Sequence, residues 1–344
     1  MKTSIDPAGT LSGPAMGTRW TARLSARAST PALHRCLAAT VERVESQMSL
    51  WREDSDLSRL NRAPLGEWQT LPPEILLVLA TALRIGQESD GLFDIAVGNL
   101  VRAWGFGPAR GLADPAAIRA HLGKPLAGRD ALELDTARSR ARRLADVGFD
   151  LSAIAKGYAV DLMAETLERN GVGSFLVGLD GEIRAAGQRP DGRPWAVALE
   201  SPDRCRRQAR GLLELTGGAV ATSGDYRHFL RLDDGFVSHS MNPRIGGPVQ
   251  NRLASVTVFG QFCMEADAWA TVLMVLGETA GPSFAAARRM DAIFLVRSGT
   301  GIEEVIVRDV EIPPPDPGAP REAQGRKDHS SADRRAIGSG MLRR

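Results

Sequence analysis

Two oxygen-bearing side chains in the C-terminal part of the chain have a spacing that suits a metal ion. Asp267 and Thr271 stand four residues apart in the apolar segment 264–276, whose composition predicts a helix. Residues four apart share one helix face, so the carboxylate and the hydroxyl would point the same way. Such hard oxygen ligands suit Mg²⁺, which fills its other positions with water and phosphate oxygens. The alternative is an acidic first turn that complements the helix dipole.

Lys156 is a second candidate, because it stands where phosphates are commonly held. The alternation of apolar residues predicts a strand over 146–151, followed by a turn of small residues and a helix from Tyr158 that Gly171 ends. A strand, a small-residue turn and a helix N-terminus together favour an anion. Only four of the 43 basic residues are lysines, so general composition does not account for this one. The alternative is a solvated lysine at a helix start, and the Walker A spacing is absent.

Three further segments combine reactive or aromatic side chains with glycine. In the segment 217–227, two small hydroxyl residues are flanked by glycines, which allows close approach of ligand oxygens. His239 lies between a strand and a Pro-Arg-X-Gly turn, although a lone histidine is more often structural. Glycines surround the aromatic residues of 91–108, which could face a flat ligand ring. For Phe93 and Trp104 we favour a role as core anchors.

The elements that must position these residues follow from periodicity and turn signals. Helices are predicted at 32–47, 74–89 and 264–276, and a short helix is predicted after a cap at Asp54, Ser55 or Asp56. Strands are predicted at 174–178, 182–186, 195–200, 211–216, 253–259 and 291–296, with a hairpin turn at 233–235. This mixed order of helices and strands is compatible with an α+β fold and does not exclude an α/β arrangement.

Composition bounds the class of protein. The length of 344 residues suits one large domain or two intimate ones, and 43% hydrophobic residues can bury a sizeable core. A net charge of +2 gives no reason to expect a nucleic-acid or membrane surface. Three cysteines without CxxC spacing form neither a disulfide framework nor a zinc site. We therefore expect no nucleic-acid partner.

The termini differ from the rest of the chain. Residues 1–11 are predicted to be a loose leader and residues 311–344 a disordered, proline-rich tail. We expect no transmembrane segment, because no apolar run reaches 18 residues. No apolar signal segment precedes the domain, so we expect a cytoplasmic protein, while an exported form stays open if the start is truncated.

Seven segments, taken in order, resemble one family, the FAD:protein FMN transferases (ApbE family). They are M-G-T from residue 16, S-R-L-N from 58, G-L-F-D-I-A-V-G-N-L-V-R-A-W-G-F-G-P from 91, D-L-S-A-I-A-K-G-Y-A-V-D from 150, A-T-S-G-D-Y-R from 221, S-H-S-M-N-P-R-I-G-G-P from 238 and M-E-A-D-A-W-A-T from 264. No single motif is decisive, but seven in order make chance agreement improbable. The resemblance covers about residues 12–310 and implies an α+β fold of two packed lobes, with mixed or antiparallel sheets, flanking helices and an FAD cleft between the lobes.

The resemblance also implies an activity. Members use Mg²⁺ to cleave FAD between FMN and AMP, and transfer FMN through its phosphate to a Ser or Thr hydroxyl. The acceptor is a flavoprotein with an S/T-G-A-S/T-like sequence, such as a redox-pump or reductase subunit. Two alternatives stay open: an Mg²⁺-dependent FAD pyrophosphatase that uses water, and a flavin-binding protein without chemistry.

The roles that the resemblance assigns fall on residues of this chain. The metal ligands would be Asp267 and Thr271, with a carbonyl or neighbouring group near Ala153. His239 would be the general base or phosphate-orienting donor next to the acceptor hydroxyl. The residues expected to contact FAD are Met16, Trp51, Leu92, Phe93, Asp94, Asp150, Lys156 and His239.

The chain departs from the family pattern in three places. Asn242 and Ile245 replace the Asp and Thr of H-x-x-D-P-R-T-G, which affects local charge and acceptor docking. Asp180 stands where the first glycine of a Gly-Gly pair usually precedes an acid, here Glu182. Ala270 replaces an acid that some members place beside the metal, which would leave fewer protein oxygens for Mg²⁺.

Overall fold

A computed structural model gives the fold of this chain. It describes residues 9–25, 27–107, 113–123, 128–203, 206, 208–227, 229–232, 235–299, 301–308 and 334–335. The helices are α1 Pro31–Met48, α2 Asp56–Arg62, α3 Pro73–Glu88, α4 Gly98–Ala103, α5 Pro115–His121, α6 Gly128–Ala131, α7 Ala155–Arg169 and α8 Cys263–Ala287. The strands are β1 Thr10–Ala15, β2 Thr18–Leu24, β3 Gln69–Thr70, β4 Leu132–Asp135, β5 Arg140–Arg143, β6 Phe175–Leu179, β7 Glu182–Ala186, β8 Trp195–Glu200, β9 Ala209–Leu215, β10 Gly217–Gly224, β11 Phe229–Leu232, β12 Gly235–Ser238, β13 Met241–Asn242, β14 Gly247–Pro248, β15 Leu253–Gly260, β16 Ala292–Ser298, β17 Gly301–Val307 and β18 Arg334–Arg335.

An antiparallel sheet in the order β1-β2-β6-β7-β10-β15-β16-β17 forms the centre of the fold. Its two faces belong to two different cores, because successive side chains of a strand point to opposite faces. On β16, Phe294 packs in the larger core and its neighbours Ile293 and Leu295 pack in the smaller one. The sheet is therefore buried on both sides, which explains the nearly continuous apolar sequence of β15 and β16.

Different layers cover the two faces. The smaller core is closed by the sheet β18-β9-β8, whose Trp195, Val197 and Leu213 pack toward the large sheet. Helices α7 and α8 lie side by side on the other face, and α1 packs against α7. The site residues of α7 and α8 are thus held between the large sheet and an outer helical layer.

Helix α8 is the one helix of the described residues that is long and apolar enough to cross a membrane, by length and composition only. Its side chains Ala266, Val272 and Leu273 lie in the larger core, and the helix is broken at Gly277, where φ is 82° and ψ is −178°. A core helix passes the same test of length and hydropathy, and packing against β10 and β15 accounts for its apolar character.

The expected leader ends earlier than predicted. Strand β1 begins at Thr10 and buries Leu11, so the prediction of a loose leader is wrong for residues 10 and 11. Gly13 in the middle of β1 faces Trp20 of β2, and a Cβ there would lie 2.7 Å from the indole Nε1. Ser-Gly-Pro has a turn-like composition, yet here the missing side chain makes room for a buried tryptophan.

Parts of other predictions fall outside the described residues. These parts are residues 1–8 of the leader, Pro108 of the aromatic segment and residues 233 and 234 of the predicted hairpin turn, whose strands β11 and β12 are present. Of the predicted tail 311–344, only Arg334–Arg335 is described, and it pairs in parallel with Leu212 and Leu213 of β9. The rest of the tail lies outside the described residues, so its disorder stays a prediction.

The strand predicted over 146–151 is absent, and these residues form a loop. The alternation that suggested a strand is real, because Phe149 and Leu151 are buried. The backbone of Phe149, however, forms two hydrogen bonds with the side chain of Asn61. The Asn61 side-chain NH₂ group donates to the Phe149 carbonyl at 2.9 Å, and the Asn61 side-chain oxygen accepts from the Phe149 N–H at 2.8 Å. An asparagine side chain thus takes the bonds that a strand partner would take.

Candidate active site

Helices α7 and α8 meet backbone to backbone at Gly157. A Cβ at this position would lie 2.4 Å from the carbonyl oxygen of Cys263, so only glycine fits without moving a helix. The Gly157 N–H donates to Oδ2 of Asp267 at 3.1 Å. This bond joins the first turn of α7 to the predicted metal ligand on α8, and the dipole of α7 favours the carboxylate there.

Asp161, one turn further along α7, holds the start of α8. Its two carboxylate oxygens accept from the N–H groups of Cys263 and Met264, each at 2.9 Å. Arg184 pairs with the same carboxylate at 2.9 Å. The residue before α8, Phe262, offers no side-chain cap. A buried carboxylate from a neighbouring helix therefore satisfies the backbone donors that a helix start leaves unpaired.

Replacement of Asp161 by alanine is expected to destabilise the fold by about 2 to 4 kcal/mol, because a capping bond and the partner of a buried arginine are lost together. Urea denaturation measures the change. Glu165→Ala is the matched control on the same helix, since its pair with Arg169 is exposed and is worth less than about 1 kcal/mol. Equal stability of the two variants would contradict this role of Asp161.

Lys156 pairs with a buried acid. Its Nζ lies 2.6 Å from Oε1 of Glu182, whose side chain is 1% exposed, whereas the Lys156 side chain is 28% exposed. Burial alone would lower the pKa of Lys156, but the carboxylates of Glu182 and Asp267 outweigh it and raise that pKa. The lysine therefore stays charged. Because it pairs with a buried acid, the alternative of a solvated lysine at a helix start does not apply.

Burial has the opposite effect on the acids of this junction. It raises the pKa of Glu182 and of Asp267, and the ammonium of Lys156 opposes the rise in both. Burial thus opposes ionisation of both acids at neutral pH, and a bound cation would favour their charged forms. The junction places the Lys156 ammonium where a phosphate could bind and the Asp267 carboxyl where a cation could bind.

The other predicted metal ligands lie on α8 and in the turn before α7. Thr271 stands one turn after Asp267 on α8, and its hydroxyl is 3.2 Å from that of Ser223 on β10. Ala153 lies in the turn just before α7. Ala270 is fully buried among core residues. Ala270 is three residues after Asp267 and so lies beside it on α8, where its methyl group offers no oxygen to an ion.

Three motifs converge on the loop that leads into α7. Asn61 of S-R-L-N holds Phe149, as described above. The N–H of Asp150 donates to the Ile95 carbonyl at 2.8 Å, and the N–H of Gly98 donates to the Gly148 carbonyl at 2.9 Å. The Asp150 carboxylate accepts from Ser152 N–H at 2.8 Å and so shapes the turn. The segment that carries Lys156 is therefore positioned by α2 and by residues 95–98, which are both distant from it in sequence.

The residues Leu92, Phe93 and Asp94 have structural contacts here. Leu92 and Phe93 are buried in the larger core, which confirms the prediction that Phe93 is a core anchor. Asp94 is half-buried, and its carboxylate accepts from Ala96 N–H at 2.7 Å and from Gly128 N–H at 2.8 Å. Burial raises the pKa of Asp94. For Leu92 and Phe93 the backbone, more than the side chain, remains the candidate for contact with a ligand.

Met16 and Trp51 both lie near the C-terminal end of α1. Met16 occupies the tip of the β1–β2 hairpin with a φ of 46°, and its N–H donates to the Glu45 carboxylate at 3.3 Å. Trp51 follows α1 by three residues and is 56% exposed. A positive φ is uncommon for methionine, and an exposed tryptophan has apolar area available for a ring.

His239 lies between β12 and β13, against the aromatic loop. Its ring centroid is 6.3 Å from that of Phe106, in an edge-to-face arrangement. The loop that follows it is held to the residue before the 91–94 loop, because Arg244 donates to the backbone carbonyl of Asp90 at 2.8 Å and to its carboxylate at 2.5 Å. The His239 loop and the 91–107 segment therefore form one surface.

Sequence patterns gave no reason to select three of these residues for the site. Glu182 is predicted as part of a strand and as the acid after the Asp180 departure, Asp161 as the last residue of the motif from 150, and Ser223 as one of two small hydroxyl residues, each without a role in the site. An acid among apolar neighbours is the available signal for Glu182 and Asp161, because a buried charge requires a partner. The partner of such an acid cannot be identified from sequence spacing. Lys156 and Glu182, for example, are 26 residues apart.

Comparison with known proteins gives a single family. The sequence model of the ApbE family matches residues 16–294. The FAD:protein FMN transferase of Vibrio cholerae serotype O1 is 36% identical over 298 residues, which are 86% of this chain and 89% of that protein.

Two solved structures agree with the fold. The apo form of the Pseudomonas stutzeri flavinyl transferase ApbE has a TM-score of 0.76 and 34% identity, over 87% of this chain and 94% of that one. The flavin transferase ApbE from Vibrio cholerae has a TM-score of 0.75 and 32% identity, over 87% and 97%. The expected α+β fold is confirmed.

Proposed function

The chain belongs to the ApbE family and is an FAD:protein FMN transferase, and from this we propose that the junction of α7 and α8 is its flavin-transfer site. The enzyme moves FMN from FAD to a flavoprotein acceptor. The bond that breaks joins the two phosphates of FAD, and AMP leaves. The observation that carries the proposal is the bond between Gly157 N–H and Asp267, because it brings the Lys156 turn and the Asp267–Thr271 face together.

Mg²⁺ is the cofactor that we propose for this site. The described residues contain no group of three His, Cys, Asp or Glu side chains that could hold a metal. The available donors are the Asp267 carboxylate, the Thr271 hydroxyl and a carbonyl near Ala153, and these few hard oxygens fit an ion that keeps water and phosphate ligands. When bound, Mg²⁺ would neutralise the phosphate oxygens and polarise the bond that breaks.

The side chains of the chain supply binding and proton transfer. Lys156 contributes a permanent positive charge for the pyrophosphate. His239 accepts the proton of the acceptor hydroxyl as it attacks the FMN phosphate, or orients that phosphate. The remaining contacts with FAD are assigned to Met16, Trp51, Leu92, Phe93, Asp94 and Asp150. Transfer of the FMN phosphate requires that the attacking hydroxyl oxygen and the leaving AMP lie in line on opposite sides of the phosphorus atom.

His239→Ala is expected to bind FAD with nearly unchanged affinity and to lower kcat for transfer about 100-fold, because a general base contributes at least that factor. Flavin fluorescence quenching measures the affinity, and in-gel fluorescence of the acceptor measures transfer. His121→Ala on α5 is the matched control and should transfer normally. Loss of FAD binding in His239→Ala would reassign the residue to cofactor binding.

The acceptor is a flavoprotein, and we propose that FMN is attached to a Ser or Thr hydroxyl within an S/T-G-A-S/T-like sequence. The departure at Asn242 leaves the local turn intact, because its side-chain oxygen accepts from Arg244 N–H at 3.0 Å as an aspartate would. Ile245 is 43% exposed, so its methyl groups are available to the acceptor. The departures therefore change charge and polarity rather than backbone shape.

The test is an incubation with FAD and Mg²⁺, with and without a protein that carries the acceptor segment. Covalent flavin fluorescence on a denaturing gel is expected with that acceptor and absent when its Ser or Thr is replaced by alanine. Free FMN and AMP in equal amounts, with or without acceptor, would instead support the pyrophosphatase. Unchanged FAD in every tube, under a range of divalent cations, would contradict the proposal.

Two earlier expectations remain proposals. The domain is proposed to span about residues 12–310, extended at its start by the strand from Thr10, with the tail 311–344 outside it. A cytoplasmic location is the second proposal, and an exported form stays open. Fractionation of cells that produce the native gene product would contradict this location if the protein were found outside the cytoplasm.

A further inference from the structure

Glu182 is the most buried acid at the α7–α8 junction. It is the first residue of β7 and follows the turn in which Asp180 has a φ of 57°. Its side chain is 1% exposed, and its Oε1 lies 2.6 Å from Nζ of Lys156. Its Oε2 is buried without a hydrogen-bond partner among the described residues. No role was assigned above to this carboxylate.

The two ends of the pair differ in access. Lys156 is reached from the open side of the junction, because 28% of its side chain is exposed, whereas Glu182 lies behind it in the interior. An ammonium has three N–H donors, and Glu182 accepts one of them. Within the described part of the chain, two donors of Lys156 therefore remain for oxygens of a ligand that enters from the exposed side.

We propose that Glu182 is a positioning residue of the flavin-transfer site, which fixes the Lys156 ammonium beside Asp267 so that its remaining donors bind the pyrophosphate of FAD. This inference rests on the proposed function. A lysine side chain is flexible, and its head group must be held in place before it can bind a phosphate at a defined point. Glu182 supplies that restraint from the interior through a single short bond.

A purely structural account predicts different behaviour. If Glu182 only compensated a buried charge, its loss would lower stability and leave the kinetics of the folded enzyme unchanged. If Glu182 acts through Lys156, its loss weakens FAD binding even at temperatures where the variant is folded. A displacement of about 1 Å can cost a large factor in rate, so the effect should be measurable.

The experiment is a double-mutant cycle with Glu182→Gln and Lys156→Met in the full chain. Each single variant is expected to raise KM for FAD about tenfold, and the double variant is expected to be no worse than Lys156→Met alone, because residues that act through one interaction are not additive. Effects that multiply in the double variant would overturn the proposal. Glu182→Asp keeps the charge and should recover part of the affinity.

Three controls separate the possible failures. Circular dichroism and thermal unfolding establish that each variant is folded at the assay temperature. Glu278→Gln alters a partly buried acid that pairs with Arg252 in the distal part of α8, and it should leave KM unchanged. Wild-type protein without any transfer would refute the proposed function itself. Wild-type transfer together with an unchanged KM in Glu182→Gln would refute only the role of Glu182.

Discussion

Replacement of Asp267 by alanine is expected to abolish transfer of FMN, with a loss of at least about 100-fold in kcat/KM. Loss of a group that merely orients a metal ligand already costs 10- to 100-fold, so removal of the proposed ligand should cost more. Asp267 is 4% exposed and is the one carboxylate of the proposed donor set. The variant also removes the acceptor of the Gly157 N–H bond, which joins α7 to α8.

The Mg²⁺ dependence distinguishes a metal ligand from a structural acid. Asp267→Asn retains an oxygen for Gly157 N–H but carries no charge, so it should need a higher Mg²⁺ concentration for half-maximal transfer. Glu265→Ala is the matched control, because this acid lies on the same helix with a 43% exposed side chain paired with Arg84. Wild-type activity and wild-type Mg²⁺ dependence in Asp267→Asn would contradict the metal assignment.

Gly157→Ala is expected to have the second largest effect, because one methyl group would separate the two helices. Its Cβ would be 2.4 Å from the Cys263 carbonyl oxygen, which belongs to the backbone and cannot rotate away. Overpacking of this kind costs about 1 to 3 kcal/mol, and backbone contacts fall at the upper end or above. Denaturation by urea should show this loss, and the displaced Asp267 should lower transfer as well.

Gly173→Ala provides the comparison. Gly173 lies just beyond α7, and nothing lies within 4 Å of a Cβ built there. That variant should match wild type or be slightly more stable, because alanine restricts the unfolded chain more than glycine does. If Gly157→Ala were as stable and active as Gly173→Ala, the close approach of the two helices would not be needed.

Local patterns predicted most of the elements of this chain. Alternation predicted β7 and β8 with the bounds that the structure has, and Gly171 ends α7 with a φ of 76° as expected. The helical spacing of Asp267 and Thr271 is confirmed within α8. These features depend on residues a few positions apart, which is why the sequence alone was sufficient.

The errors arise where contacts distant in sequence decide the backbone. Residues 146–151 alternate like a strand, but Asn61 and Ile95 take their backbone groups and leave a loop. Helix α7 begins at Ala155 instead of Tyr158, and Asp267 of α8 satisfies a donor of its first turn. The small residues before Tyr158 favour a turn by composition, but the contact with Asp267 of α8 stabilises the first turn of a helix there.

The same contrast between local patterns and contacts distant in sequence applies to the candidate site. The seven motifs indicated Lys156 and Asp267 separately, but their meeting at Gly157 depends on the packing of α7 against α8. The pair of Lys156 with Glu182 has no local signal at all, because the acid belongs to a strand 26 residues away. Residue types could therefore be predicted, whereas the network that positions them required the structure.

The most direct measurement is the ratio of AMP released to FMN bound on the acceptor in one reaction with FAD and Mg²⁺. Chromatography quantifies AMP, and mass spectrometry of the intact acceptor quantifies bound FMN. The account predicts a ratio close to one, with FMN on a Ser or Thr hydroxyl and with both products lost in Asp267→Ala. AMP released with free FMN and an unlabelled acceptor, or transfer that persists in Asp267→Ala, would contradict it.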